Sequence, residues 1–417
     1  MDQLHRRFTG EQVKVLLKGY DQGSLTRADI QEVLGIGKTR FFALLKEYQH
    51  APEAFTLEYQ RQTPAHLSSE TEAAIKEALL REKELIDNPE LPIQSYNHSA
   101  MRDRLKEKGH QVSATTITKR AKAQDCYLPA RKHKAHTREV ITSAPGALIQ
   151  HDASTHQWSP YANEKWVLIT SIDDYSRKLV FADFFEQEST WAHISAAQRL
   201  FQTYGTPVRY YVDNLRVFRF VQYRDSVWRN HKLLTDEADP QWRQVMRAMG
   251  VEVTYALSPQ AKGKVERPYR WLQDRIVRTC ALEKLTTLED GRQVLHDELL
   301  RYNDRQVHST TGEIPSIRFA KAQDNGSSLF RPFALPKPYT SIKDVFCLYD
   351  TRTVNGYQRI SLFNQEIPVP NVPLREDVHL HLVPDFTRNI IEIRIWWQSK
   401  LISTQHLPLP KEFTFKV

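Results

Sequence analysis

The sequence predicts a multidomain α/β protein with helical N-terminal units, a mixed α/β core and a C-terminal part built from short strands. Three observations lead to this prediction. Apolar residues recur at helical spacing over the first part of the chain, and strand-like apolar runs alternate with helical segments between residues 147 and 325. Short strand-like runs separated by turn residues follow from about residue 337. With 417 residues, the chain has room for about two to four domains.

The composition narrows the class of protein. Lys and Arg outnumber Asp and Glu by 58 to 50, which favours a polyanionic partner. Residues 102–138 alone hold eleven Lys or Arg and three Asp or Glu, although such a run can also be a solvated helix face. The three cysteines form no C-x-x-C pair, which indicates a reducing compartment. No apolar stretch is typical of a signal peptide or a membrane span, so we expect a cytoplasmic protein.

Residues 1–60 predict a helix-turn-helix unit. The segments EQVKVLLKGY, LTRADIQEVLG and IGKTRFFALLKEY have helical apolar spacing, and Thr26 with Asp29 forms a weak capping-box pattern. The break at residues 35–37 is short enough to turn the last helix against the one before it. A helical hairpin that binds no DNA is the alternative. The predicted DNA contacts are Lys38, Thr39 and Arg40.

Residues 66–130 predict a second helix-turn-helix unit. An amphipathic helix is followed by SYNHSAMRDRLKEKG and QVSATTITKRAKAQ, and Ser113 is a plausible N-cap of the last helix. Hydroxyl and cationic side chains there would meet phosphates and base edges. The predicted contacts are Ser113, Thr115, Thr116, Lys119, Arg120 and Lys122. Residues 131–146 follow as a basic linker that either lies along DNA or is simply solvated. Its candidate contacts are Arg131, Lys132 and Lys134.

The segment 147–325 predicts a mixed sheet of ribonuclease H type. Its order is three strands, a helix, a strand, a helix, a strand and closing helices, with an insertion or loop at residues 226–240. For residues 335–417 we predict a small β-barrel, because short strands alternate with Asn, Gly, Pro and Asp turns. Such a barrel could hold nucleic acid or serve as a protein interaction platform.

Three carboxylates in the core are the candidate catalytic groups. Asp152, Asp213 and Glu266 lie in IQHDAST, YYVDNLRVF and AKGKVERPYRW, where their neighbours make an unpaired carboxylate costly. If the three converge they repel one another, and hard divalent cations relieve that repulsion. Two Mg²⁺ ions, with Mn²⁺ as a substitute, could activate an attacking oxygen and stabilise a leaving one on a phosphodiester.

The motifs of this core also resemble a known family. HDAST, SIDDYSRKLVFADF, STWAHISAAQRLFQTYGTP, VDN and SPQAKGKVERPYRWLQDRI follow in the order of the core of DDE transposases and retroviral-type integrases. YNDRQVHSTTGEIPSIRF resembles the segment that closes this core in bacterial insertion-sequence transposases. The resemblance covers about residues 148–319, and it puts the metal-binding positions of the family on Asp152, Asp213 and Glu266.

The sequence departs from the family pattern at three points. Leu215 stands where the family commonly has a glycine, and the 53 positions between Asp213 and Glu266 exceed the gap in most relatives. The paired His and Cys zinc module that integrases carry at the N-terminus is also missing from the sequence.

The resemblance implies a DNA transposase of a bacterial insertion sequence. Such an enzyme binds the terminal inverted repeats, releases a 3′-OH by hydrolysis, and joins that 3′-OH to target DNA. It would act as a homodimer or higher oligomer on paired ends, associated with the nucleoid when bound to DNA. An inactive DNA-binding regulator and a nuclease acting on RNA are the alternatives.

Neighbouring charges complete the predicted site. The cations Lys262, Lys264, Arg267 and Arg270 would grip phosphates beside the metal ions, or merely solvate their helix. Two other carboxylates are predicted not to be ligands. Glu252 alternates with buried valines on a short strand, and Asp274 lies about 12 Å beyond Glu266 along a helix axis.

Overall fold

The computed structural model describes residues 4–57, 67–129, 142–212, 241–255 and 263–410. The side chains of residues 5, 6 and 263–267 lie outside this description. The chain divides into two compact units, Met1–Glu72 and Ala73–Val417. None of the helices in the described ranges combines the length and apolarity that a membrane span requires.

The first unit is a small helical bundle. It contains α1 (Leu4–Arg7), α2 (Gly10–Asp21), α3 (Arg27–Leu34) and α4 (Lys38–His50). Thr26 and Asp29 form the predicted capping box at the start of α3, and Gly35 ends that helix in the left-handed conformation with φ 64°. The helices enclose an apolar core that includes Val13, Ile30 and Phe41.

The second unit opens with three helices. Helix α5 (Ser69–Asp87), which begins at the boundary between the units, is followed by α6 (His98–Glu107) and α7 (Ala114–Ala123). The Ser113 hydroxyl accepts a hydrogen bond from the Thr116 N–H at 3.0 Å, so the predicted N-cap of α7 is confirmed. Apolar side chains such as Leu79, Met101 and Ile117 are fully buried.

A five-stranded sheet forms the centre of the second unit. The strands are β1 (Ile149–His156), β2 (Trp166–Asp173), β3 (Leu179–Phe185), β4 (Arg209–Val212) and β5 (Glu252–Tyr255). The spatial order is β3-β2-β1-β4-β5, with β1, β2 and β3 antiparallel and β4 and β5 parallel to β1. The predicted mixed α/β sheet and its order of elements are therefore confirmed.

Helices cover both faces of this sheet. On one face lie α8 (Thr190–Tyr204) and α9 (Gln241–Ala248), and on the other lie α10 (Gly263–Glu283) and α11 (Leu288–Asp304), before α12 (Pro315–Asp324). Strand β2 is buried along its whole length because both of its faces are covered. Gly291 of α11 permits close packing, since a Cβ there would lie 2.4 Å from the Trp166 ring.

The C-terminal part is an open sheet, and the predicted β-barrel was wrong in this respect. A short 3₁₀ helix precedes β6 (Leu348–Thr353), β7 (Arg359–Leu362), β8 (Gln365–Pro368), β9 (Asp377–Asp385), β10 (Ile390–Trp397) and β11 (Lys400–Pro408). In residues 342–410 the strands form a four-stranded sheet, β11-β10-β9-β6, and a separate hairpin, β7-β8. Closure requires the edge strands to pair, but β6 and β11 lie at opposite edges. The pattern of short strands predicts which residues alternate between the two faces of a sheet. It does not predict whether the sheet closes into a barrel.

Candidate catalytic site and nucleic-acid interface

Asp152 lies on β1, at the centre of the sheet. Its neighbour His151 is buried on the face of α8 and α9, where its ring stacks on Trp242 with centroids 6.0 Å apart. Successive side chains of a strand point to opposite faces, so the half-buried Asp152 side chain points to the face of α10. This is the face on which the predicted site requires it.

Tyr269 of α10 connects the helix to this point of the sheet. Its buried hydroxyl donates a hydrogen bond to the main-chain carbonyl of Asp152 at 2.6 Å. Burial, and then the negative charge of Asp152, raise the pKa of Tyr269 well above its ordinary value, so the group stays a neutral donor. Sequence reasoning missed this residue. The available signal was its place three positions after Glu266, because residues three apart on a helix share a face.

The other two predicted ligands are only partly covered by the structure. Strand β4 pairs with β1 in parallel, with Tyr210 opposite Ile149, and ends at Val212. Asp213, the next residue in the sequence, lies outside the described residues. Glu266 lies within α10, and its side chain is also outside the description. Among the described residues, no group of three or more His, Cys, Asp or Glu is arranged to hold a metal ion.

A buried chain of polar groups lies on the other side of β1. The His151 Nδ1 atom is 2.8 Å from the Ser171 hydroxyl, and its Nε2 atom is 2.9 Å from Nδ1 of His193 on α8. The His193 Nε2 atom is 3.2 Å from a carboxylate oxygen of Glu188. These contacts fix β1 to β2 and α8 directly beside Asp152. Sequence reasoning missed them, although both histidines lie in the quoted motifs.

The two carboxylates of the SIDD motif have structural partners. Asp173 accepts hydrogen bonds from the N–H groups of Gly146 and Ser176, both at 2.9 Å, and burial raises its pKa. Asp174 accepts from Arg177 at 2.8 Å and from the side chain of Gln150. Both carboxylates therefore hold the turn after β2 and are not candidates for catalysis.

Glu252 and Asp274 also have partners away from β1. Glu252 is exposed on β5 and accepts a hydrogen bond from Arg209 of β4 at 2.8 Å. Asp274 accepts from Arg278 at 2.9 Å and from the side-chain amide of Asn97. These contacts agree with the prediction that neither residue is the third ligand, which itself stays a prediction.

The predicted DNA contacts of the first unit lie at the start of α4, where Lys38, Thr39 and Arg40 are all exposed. On α7, Thr115, Lys119 and Lys122 are exposed. Thr116 and Arg120 are half-buried, and the Ser113 hydroxyl is used in capping. Lys122 also lies over the Tyr127 ring, 4.7 Å from its centroid. Both helices thus present hydroxyl and cationic groups to solvent.

The remaining predicted contacts fall mostly outside the description. Arg270 is exposed on α10. Lys264 and Arg267 lie in the first turns of α10, with side chains that are not described. The residues wholly outside the described ranges are Arg131, Lys132, Lys134 and Lys262.

Comparison with known sequences identifies transposases as relatives. No protein-family model matches the chain. It is 29% identical over 260 residues to "Putative transposase y4bF" of Sinorhizobium fredii, covering 62% of this chain and 52% of that protein. It is 28% identical over 218 residues to the transposase for insertion sequence IS1202 of Streptococcus pneumoniae, covering 49% and 45%. The chain spans about half the length of these relatives. The resemblance to bacterial insertion-sequence transposases is therefore confirmed.

Comparison with solved structures gives only weak likenesses. The catalytic core domain of BIV integrase matches with a TM-score of 0.31 at 18% identity, covering 43% of this chain and 98% of that one. A chain of the simian T-cell lymphotropic virus intasome matches with a TM-score of 0.32 at 14% identity, covering 74% and 92%. Likenesses this weak support no conclusion about function.

Proposed function

We propose that this relative of insertion-sequence transposases is a DNA transposase that cleaves transposon ends and joins them to target DNA. The observation that carries the proposal is the position of Asp152. Its side chain lies on the central strand of the sheet and faces α10, the helix that contains Glu266. The core of ribonuclease H type, predicted from the order of elements, supplies this frame.

Helix geometry supports Glu266 as the second member of the site. Tyr269 contacts β1 at Asp152, and position 266 lies one helical turn earlier, on the same face of α10. Strand β4 runs beside β1 and stops one residue before Asp213. In this proposal three neighbouring elements each bring one carboxylate to a single place beside β1.

A set of three carboxylates fits hard divalent cations such as Mg²⁺ and Mn²⁺. Asp152, Asp213 and Glu266 would hold them. The Tyr269 hydroxyl bonds to the main-chain carbonyl of Asp152, so it orients the strand without occupying the carboxylate. When bound, two such ions would neutralise the scissile phosphate and increase the nucleophilicity of the attacking oxygen.

The proposed reaction consists of two in-line displacements at phosphorus. In the first, a water oxygen forms a P–O bond at the transposon end and the P–O3′ bond breaks, which leaves a free 3′-OH. In the second, that 3′ oxygen attacks a target phosphodiester, and a target 3′ oxygen leaves with a proton. In this proposal the chain itself aligns the DNA, and Arg270, exposed one turn beyond Glu266, binds a phosphate.

The helical units would supply the DNA contacts. The start of α4 exposes hydroxyl and cationic groups, as the N-terminal ends of recognition helices do when they enter a major groove. Helix α7 exposes Thr115 at its start and the cations Lys119 and Lys122 further along. We propose that both bind the terminal inverted repeats in the bacterial cytoplasm. Because both ends must be cut and joined together, the acting form is proposed to be a homodimer or larger assembly.

The test is cleavage of a labelled duplex that carries the inverted repeat flanking the gene. The wild-type protein is expected to cut it with Mg²⁺ or Mn²⁺ but not with EDTA. Glu252→Gln is expected to cut equally well, since Glu252 is exposed and pairs with Arg209. A protein that binds the duplex but never cuts it, under any divalent cation, would instead be an inactive DNA-binding relative.

A further inference from the structure

The α5–α7 helices are docked onto the helix that carries Glu266. Apolar side chains of α5 and the following loop, Leu85, Leu91 and Ile93, pack against Val277 and Ala281 of α10. All five are at least 90% buried. The contact lies on the C-terminal half of α10, beyond the turn that approaches β1.

Buried charges surround this apolar contact. Glu82 of α5, 1% exposed, pairs both with Arg104 of α6 and with Arg278 of α10. Arg278, also 1% exposed, donates a further hydrogen bond to the Ser95 carbonyl at 2.8 Å. Arg278 is thus bonded to α5 and to the loop before α6 at the same time.

A second group of charges joins α6 to α10 and α11. Asp103 of α6 accepts a hydrogen bond from Arg275 of α10 at 2.8 Å. Arg275 also lies 3.6 Å from Glu298 of α11, and Arg301 of α11 pairs with Glu107 of α6. We refer to residues 82, 85, 91, 93, 103, 107, 275, 277, 278, 281 and 301 as the docking interface.

The buried pairs Glu82–Arg278 and Asp103–Arg275 allow few alternative orientations of the α5–α7 helices. An ion pair taken out of water is tolerated only when its geometry and additional hydrogen bonds are kept, so sliding or rotating the α5–α7 helices would leave charges unpaired. The exposed hydroxyl and cationic groups of α7 are therefore held at one position relative to α10. The first turn of that helix carries Glu266.

We propose that the docking interface sets the register between duplex DNA bound on α7 and the catalytic site. The fixed distance between α7 and the carboxylates would then determine which phosphodiester, counted from the bound repeat, is cut. This inference rests on the proposed function. It adds that the α5–α7 helices determine the position of the cut and do not only attach the chain to the DNA.

The rigidity of the docking can be measured without DNA. Spin labels can be attached at Gln124→Cys, at the end of α7, and at Glu289→Cys, on α11. Both positions are exposed, whereas the three native cysteines are buried. Pulsed EPR of the full chain is expected to give one narrow distance distribution. A broad distribution in the wild-type background would overturn the proposal, because a mobile α7 cannot define a register.

The disrupting variant is Arg275→Met with Arg278→Met. It removes the two α10 cations of the docking interface, while the Arg104–Glu82 and Arg102–Asp103 pairs remain within the α5–α7 helices. A second variant, Ala281→Glu, places a charge in the apolar part and leaves every ion pair in place. The matched control is Arg199→Met, which removes an exposed cation of α8 that pairs with Asp183.

Both disrupting variants are expected to broaden the distance distribution. They should also lower cleavage at the wild-type phosphodiester at least tenfold and scatter the remaining cuts over neighbouring positions. The Kd for end DNA should change less than threefold, and the control should match the wild type. If a variant with a broadened distribution still cuts at the wild-type position and rate, the register proposal fails alone. If the wild-type protein cuts no end DNA at all, the proposed function itself fails.

Discussion

The two halves of α10 are held by different kinds of contact. At the N-terminal half, which contains Glu266, one buried tyrosine hydroxyl bonds to the carbonyl of Asp152. At the C-terminal half, Arg275 and Arg278 enter several buried ion pairs beside an apolar cluster. Among the described side chains, the buried ion pairs of α10 therefore lie at the end away from Asp152. Each half can be perturbed separately.

The largest effect is expected from Asp152→Asn, at the residue that the N-terminal half of α10 contacts. If Asp152 is a metal ligand as proposed, its loss removes several kcal/mol of charge stabilisation, so end cleavage and strand transfer should fall about 1,000-fold or more. Asp213→Asn and Glu266→Gln should do the same. Quantitative cleavage assays alongside end-binding titrations measure this. Binding should persist, and a Glu266→Gln protein that still cleaves in Mg²⁺ would move the third ligand elsewhere.

At the other half, Arg278→Met should lower the free energy of unfolding by about 3 kcal/mol, because it leaves Glu82 buried with a single remaining partner, Arg104. Urea denaturation followed by tryptophan fluorescence measures this, since all eight tryptophans lie in the second unit. Adding Glu82→Leu to Arg278→Met should restore part of the loss. A single variant as stable as the wild type would show that this pair does not hold α10.

Tyr269→Phe tests the link between the halves. It keeps the ring but removes the hydroxyl that donates to the Asp152 carbonyl, which should cost about 1–2 kcal/mol of stability and about 10- to 100-fold in cleavage. The matched control is Tyr302→Phe, because the buried Tyr302 hydroxyl has no hydrogen-bond partner among the described residues. Equal cleavage by the two variants would remove any positioning role from Tyr269. The apparent Mg²⁺ requirement should rise only for Tyr269→Phe.

The smallest effect is expected on the pH dependence of stability, through Asp103. Burial raises the pKa of Asp103, but hydrogen bonds from Arg102 and Arg275 outweigh it and hold that pKa below its ordinary value. A lowered pKa contributes stability above the ordinary value of 3.8 that is lost as the pH falls through the folded-state pKa. Glu298 changes the stability in the opposite direction as the pH falls, because burial raises its pKa despite the nearby Arg301 and Arg275.

Asp103→Asn should therefore flatten the loss of Tm between about pH 5 and pH 3 relative to the wild type. Thermal unfolding at several pH values measures this slope. Identical slopes for wild type and Asp103→Asn would mean that Asp103 is not paired in solution as in the structure.

Much of the local fold follows from short sequence patterns. The capping box of Thr26 and Asp29, the Ser113 cap and the five strands of the sheet were all predicted. These features depend on contacts within a few residues or on the period of apolar side chains. The placement of Asp152 toward α10 likewise needed only the alternation of a strand and a helix on each side.

The sequence alone therefore determined which elements form and which side chains are candidates, because capping and periodicity act over a few positions. Only the tertiary structure decided how those elements meet. The pair of Glu82 and Arg278 joins residues 196 positions apart, and nothing near either residue in the sequence marks the other. The same holds for Tyr269 and Asp152, which are 117 positions apart. It also holds for β6 and β11, the edge strands of the C-terminal sheet, which do not pair with each other. Long-range pairing depends on the shape of the whole core, and that shape is a property of the folded chain.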